Sequence, residues 1–238
     1  MLILPIILIV LCVVACYPRW RQQAVIKQWY KEGELARHQS AYQHLFRSVD
    51  GFSLSRHSRT DLDAIDYTYG EIEFIPFIAL LSLTKPNAKT VFYDLGSGTG
   101  TAVLACTMVF NIHKSCGIEL FTLLHNAALN QQQRLLELPY YAKKARVLDF
   151  INANFLNCDF SDATLVFINA TAFFGETWSK INQHMQQVNT GTIIITTSKK
   201  LSSEAFIVTK ITTVYMSWGP VKAYIQERIS NISRPQSS

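Results

Sequence analysis

With 238 residues the chain is long enough for one well-packed domain and a short appendage, and short for two domains. Hydrophobic residues make up 49% and charged residues 16%, which excludes a disordered chain. The net charge of +5 is scattered rather than gathered into a basic stripe with aromatic platforms. Nucleic-acid binding is therefore not expected as the main activity, and a membrane surface or an acidic partner suits the excess better. The five cysteines, Cys12, Cys16, Cys106, Cys116 and Cys158, lack zinc-site spacing, so no metal is expected and the thiols read as reduced.

Met1 to Tyr17 carries no charge, and Arg19 and Arg21 follow it. The run approaches the roughly 17 residues a spanning helix needs, with Pro5 near its outer end and Trp20, Trp29 and Tyr30 suited to the interface. The positive-inside rule then predicts a single-pass membrane anchor over residues 1–18 with everything after it cytoplasmic. Two other readings stay open: a lipoprotein cleavage site at Val13-Val14-Ala15-Cys16, and a buried core helix.

Trp20 to Phe46, rich in helix formers with only Gly33 to break it, predicts a helical arm, and Asp50 to Asp66 a polar loop. Arm and loop together occupy 19–66. Glu71 to Leu83 predicts a short helix leading into the core. A regular alternation follows. Strands are predicted over Thr90–Leu95, Ser115–Leu120, Val147–Asn152, Leu165–Asn169 and Thr192–Thr197, with helices over Thr101–Phe110, Phe121–Leu136 and Glu176–Gln187. Such alternation demands a mostly parallel sheet covered on both faces. Ala205–Tyr215 and Lys222–Gln226 lie too close for a crossover helix, so they should pair antiparallel around Trp218-Gly219-Pro220. Residues 230–238 form a polar tail, expected to be disordered.

The most informative residues are Asp94-Leu95-Gly96-Ser97-Gly98-Thr99-Gly100. An apolar strand ends in an acid and passes through alternate glycines into a helix, as a backbone must where a ligand presses against it. Dinucleotide binders usually place the third glycine one position later. The tighter spacing with a preceding acid is that of S-adenosylmethionine binders, whose ligand has an ammonium and a carboxylate in place of a pyrophosphate. Glu119 ends the second strand, where an acid accepts ribose hydroxyls; a solvent-exposed strand-end acid is the plainer alternative. Asn154-Phe155 after the third strand suits the adenine, or is an ordinary loop.

Together with Tyr69-Gly70-Glu71, Gly117-Ile118-Glu119, Phe155-Leu156, Phe167-Ile168-Asn169 and Met216-Ser217-Trp218-Gly219, this loop resembles the Dot-type (disruptor of telomeric silencing) lysine methyltransferases, in their compact protist and bacterial form. The resemblance runs from about Tyr67 to Gln226 and implies an α/β, Rossmann-like class I methyltransferase domain over 67–229. The architecture so expected is a mostly parallel seven-stranded sheet with an antiparallel C-terminal hairpin, preceded by the transmembrane helix and helical arm. It implies S-adenosyl-L-methionine as cofactor and a protein lysine side chain as acceptor. Tyr69 and Glu71 would close over the methionine part; Asp94, Gly96, Ser97, Gly98, Thr99 and Gly100 would hold that end, Glu119 the ribose, and Asn154 and Phe155 the adenine. Asn169 would stand beside the methyl, with Trp218 and Tyr224 lining the lysine channel. Asn169, Tyr69, Trp218 and Tyr224 are thus the candidate catalytic residues. Two departures stand out: Asn154 replaces an acid, and Ala170, followed by Thr171, replaces a second polar residue.

Methyl transfer from a sulfonium needs a neutral amine placed about 3 Å from the methyl and in line with sulfur. Aromatic walls from Trp218, Tyr224, Phe173 and Phe174 would exclude water and favour that neutral amine, although Phe173 and Phe174 equally suit ordinary packing. Asn169 would orient the amine through its side-chain carbonyl, or simply cap the next helix. A small-molecule or lipid methyltransferase, a non-catalytic cofactor-binding membrane protein and a nicotinamide-dependent oxidoreductase remain alternatives.

Overall fold

The computed structural model describes residues 34–59 and 70–230. The expected anchor, the start of the arm, residues 60–69 (with Tyr69) and the end of the tail lie outside the described residues. Among the described residues no helix is long and apolar enough to cross a membrane. The transmembrane part of the expected architecture, and the single-pass cytoplasmic placement built on it, are therefore withdrawn.

The molecule divides into two compact units between Ala41 and Tyr42. The described part of the first is the start of helix α1 (Leu35–Phe46), where Arg37 pairs with Glu34 at 2.7 Å. The second unit begins with the rest of α1, where Tyr42 packs on Phe74 with ring centroids 4.8 Å apart. Helix α2 (Gly51–Ser58) occupies part of the expected polar loop. Its polar composition hid it, but Asp50 is a working cap: its carboxylate accepts the Ser53 N–H at 2.9 Å. Helix α3 (Phe74–Ser82) is apolar nearly all round and accordingly buried, with Pro76 tolerated in its first turn.

The remaining elements are β1 (Val91–Leu95), α4 (Thr101–Val109), β2 (Lys114–Glu119), α5 (Thr122–Leu136), β3 (Leu148–Asn152), β4 (Leu165–Ile168), α6 (Gly175–His184), β5 (Ile193–Thr197), β6 (Phe206–Met216) and β7 (Gly219–Arg228). They build one seven-stranded sheet in the order β3-β2-β1-β4-β5-β7-β6. All neighbours are parallel up to β5; β7 runs antiparallel to both β5 and β6. Sequence character follows position. Every residue of β1 is buried, as a central strand covered on both faces requires. Helix α5 buries a single stripe of Leu124, Ala128, Gln131 and Leu135, the spacing of a helix with one face on the sheet.

The chain steps outward from β1 to β3 and then returns to β4 on the other side of β1, so the strand order reverses between β1 and β4. In such sheets the loops diverge at that point and open a crevice beyond the carboxyl ends of the strands. Because β7 is antiparallel to β5, the β6–β7 turn at Ser217-Trp218 lies at the same end of the sheet.

On the α3 side the core centres on Phe77, fully buried, with its ring centroid 5.2 Å from Phe167 and 6.4 Å from Phe92. Phe77→Ala is expected to cost about 3–5 kcal/mol of stability. That is roughly 10 °C in Tm for a domain of this size, read by thermal denaturation of the purified chain.

Candidate active site

A cleft of about 300 Å³ opens at the crevice between β1 and β4. The glycine loop forms its floor. Gly96 and Gly100 sit at φ of 84° and 83°, in the left-handed region that side chains disfavour, and a Cβ on Gly100 would also lie 2.8 Å from the Phe150 ring. The loop is tied to the neighbouring strand, since the Gly96 and Ser97 N–H groups both donate to the Ile118 carbonyl, at 2.9 and 3.1 Å.

Asp94, near the end of β1, and Glu119, at the end of β2, both line this cleft, and both are more than nine-tenths buried. Glu119 is held rigidly: Oε2 accepts the Gly98 N–H at 2.8 Å and Oε1 the Phe121 N–H at 2.9 Å. Each oxygen keeps a lone pair for a ligand. Burial raises the Glu119 pKa, and these backbone donors oppose the rise. Asp94 accepts no hydrogen bond among the described residues. Burial, and then the Glu119 charge, push its pKa up to about 8. The Ser97 hydroxyl is also buried without a partner. An unpartnered buried acid, a second buried acid with lone pairs to spare and a free hydroxyl fit a ligand that brings a cation and several donors. The amino-acid end and ribose of S-adenosylmethionine offer that set.

Of the other expected cofactor residues, Glu71, Gly96, Ser97, Gly98, Asn154, Phe155 and Asn169 line the cleft. Thr99 and Gly100 do not: Thr99 is fully buried beneath the loop, its hydroxyl 3.4 Å from Glu71 Oε1, and Gly100 caps α4. Asn154 uses its side-chain oxygen to cap the Phe155–Asn157 turn, accepting the Leu156 N–H at 3.0 Å. Its oxygen keeps one lone pair and its Nδ2 adds a donor where an acid would offer only acceptors.

The expected catalytic set divides. Tyr69 lies outside the described residues. Asn169 lines the cleft, but its side-chain oxygen already accepts the Thr197 hydroxyl at 2.7 Å and the Thr171 hydroxyl at 3.1 Å, while Nδ2 donates to the Gly70 carbonyl at 3.1 Å. That oxygen is thus spent on the protein. Trp218 does not line the cleft. It packs over Gly70, where a Cβ would lie 1.9 Å from the indole, so no side chain fits there. Tyr224 does not line it either. Its partner on β5 is Thr196, so it shares Thr196's face, whereas the residue bonded to Asn169 is Thr197. Phe173 does line the cleft, edge-on to Phe155 with centroids 5.9 Å apart, whereas Phe174 is outside it and half exposed.

Other lining residues had no role in the sequence reading. Phe121, whose N–H fixes Glu119, was legible as the second residue beyond a strand-end acid. Ser55 reaches the cleft from α2, inside the stretch expected to be a loop, and Thr177 and Lys180 reach it from α6.

The family model for "Histone methylation protein DOT1" matches residues 62–221. The chain belongs to the DOT1 family. A DOT1 relative, the H3 lysine-79 specific histone-lysine N-methyltransferase of Caenorhabditis elegans, is 31% identical over 139 residues, 56% of this chain. The chain spans only 15% of that relative's length. The fold is also that of an RNA methyltransferase from Salinibacter ruber solved with S-adenosyl-L-homocysteine (TM-score 0.53, 20% identity, 68% of this chain and 95% of that one). A geranyl diphosphate methyltransferase solved with sinefungin gives a TM-score of 0.55 at 9% identity, covering 75% of this chain and 99% of that one. The glycine loop and paired acids of this DOT1-family chain thus sit in the fold that the sequence led one to expect of an S-adenosylmethionine-dependent methyltransferase.

The Asp94 shift gives a signed prediction. Its folded pKa lies above the unfolded 3.8, so its contribution to stability is full below that value and is lost as pH rises towards 8. Ligand-free Asp94→Asn should therefore gain Tm over the parent as pH is raised from about 5 to about 8, with little difference at about pH 4. Cofactor affinity of the parent should climb towards pH 8 and then level, with proton release seen by calorimetry in buffers of different ionisation enthalpy. Asp94→Asn should weaken that affinity about 10- to 100-fold.

Proposed function

We propose that the chain transfers methyl groups to lysine side chains of a protein. The observation that carries this reading is the single cleft in which the two buried acids, Asp94 and Glu119, meet Asn169 and Phe173 at the β4 mouth. The family match supports it, as does the histone-lysine specificity in the name of the Caenorhabditis elegans relative.

In this reading Asp94 and the loop amides hold the amino-acid end of the cofactor, Glu119 accepts from the ribose, and Phe155 flanks the adenine beside the Asn154 amide. Bound S-adenosylmethionine supplies an electrophilic methyl on a sulfonium. Asn169 is a positioning residue: its amide fixes Gly70, and with it the segment carrying Glu71, against the end of β4. The same segment is held from the other side by the Ser217 N–H, which donates to the Glu71 carbonyl at 3.0 Å, and by the Ile72–Met216 bridge. Phe173 and Phe155 present an apolar wall that excludes water and disfavours a charged amine, so that the neutral form attacks. Positioning and desolvation are the whole of the protein's task, because the leaving group departs without a proton.

The test is incubation of the purified chain with labelled cofactor and cell extract, followed by hydrolysis of the labelled material. Methyl-lysine in protein is the expected product; label confined to lipid or small molecules would overturn the acceptor. Asn169→Ala should keep cofactor affinity within about tenfold while lowering transfer by about 100-fold.

A further inference from the structure

We infer that Lys199 is itself a methylation site, modified by the cleft of its own chain. This rests on the lysine-methyltransferase reading above and extends it to a particular acceptor.

Lys199 is placed beside the cleft through the preceding Thr197, bonded to Asn169, and through its amine, bonded to the Phe173 carbonyl. At its base, the two residues before it are fastened to the β4 mouth. The Thr197 hydroxyl donates to Asn169 Oδ1 at 2.7 Å, and the Ser198 hydroxyl lies 2.8 Å from that of Thr171. Ser198 sits at a φ of 64°, a conformation costly for a side-chain-bearing residue, and turns the chain at the end of β5. At its tip, Nζ lies 3.5 Å from the centroid of Phe174 and 5.6 Å from that of Trp178, and it donates to the carbonyl of Phe173. The side chain of that same Phe173 lines the cleft. The amine is therefore separated from the cofactor cleft by the thickness of one residue.

The surroundings suit both reactant and product. Aromatic faces attract an ammonium and hold its methylated forms as well, so modification does not evict the side chain from its berth. Transfer requires the amine to leave the Phe173 carbonyl, lose its proton to water and turn past the Phe173 ring. The neutral Nζ then forms a bond to the methyl carbon as the carbon–sulfur bond breaks. The electron pair stays on sulfur, and S-adenosylhomocysteine is released. Lys180, which does line the cleft, is mostly exposed and ion-paired with Glu176 at 2.9 Å.

The experiment uses the full chain and S-adenosylmethionine alone, with intact mass and peptide sequencing by mass spectrometry. Extract labelling and calorimetry of cofactor binding are run on the same preparation. Methyl on Lys199, lost in Lys199→Arg, with cofactor affinity unchanged and a rate independent of protein concentration, is the expected result. A rate proportional to concentration would place the transfer between copies and overturn the proposal, as would methyl on Lys180 in its place. Unmodified Lys199 in a preparation that methylates lysine in extract proteins overturns this proposal alone. Unmodified Lys199 in a preparation that binds cofactor but labels no protein overturns the lysine reading with it.

Discussion

The site depends on two acids held in one cleft out of water. Asp94 and Glu119 end adjacent parallel strands, and the register that pairs Asp94 with Gly117 leaves both carboxyls facing one cleft. Buried acids without counter-charge resist ionisation, and the structure divides the strain unequally. Glu119 receives two backbone N–H donors and stays fixed; Asp94 receives none and takes up a proton. An arriving cation converts that cost into attraction, so the ligand-free domain is poised to gain stability from its cofactor. The glycine loop supplies one of Glu119's two donors, the Gly98 N–H, and leaves Asp94 bare.

A second constraint works at the opposite wall. Gly70 is far from Trp218 in the chain, yet the indole occupies the space a side chain at that position would need. Gly70-Glu71 and Ser217-Trp218 are therefore two halves of one contact. Asn169 holds the Gly70 carbonyl, Ser217 holds the Glu71 carbonyl, and the indole covers the glycine between them. This accounts for the glycine without any appeal to backbone flexibility, and it gives Trp218 a structural contact.

The sheet was legible because its signals are strong and local. Continuous apolar runs mark strands covered on both faces, and the glycine loop marks where the first of them stops. Helix α2 was not legible, since it is polar and its only sequence mark is the capping Asp50. Tyr224 shows a different limit. The strand was recognised, but which face a residue takes depends on pairing with β5, and a slip of one residue moves a side chain across the sheet. Likewise, the bonding of Asn169 at the β4 mouth turns on hydroxyls from Thr171 and Thr197, one of them on another strand, which its own position in the sequence does not reveal. The apolar N-terminal run read as an anchor on hydrophobicity and the flanking Arg19 and Arg21, and no described helix is long and apolar enough to cross a membrane.

The departure at the β4 mouth now has a physical account. Ala170, where the family pattern expects a polar group, is fully buried at the start of the Ala170–Ala172 turn. A polar side chain there would have to find partners in the apolar cluster beneath the sheet. The hydroxyl of the following Thr171 instead joins Asn169 and Ser198 in a single network. Polar contact with the mouth is thereby moved one residue along, and the carbonyl of Asn169 is filled by the protein's own donors. On the lysine reading proposed above, an acceptor amine would be selected mainly by the apolar wall of Phe155 and Phe173 and by the reach of its side chain, and less by hydrogen bonds to the β4 end.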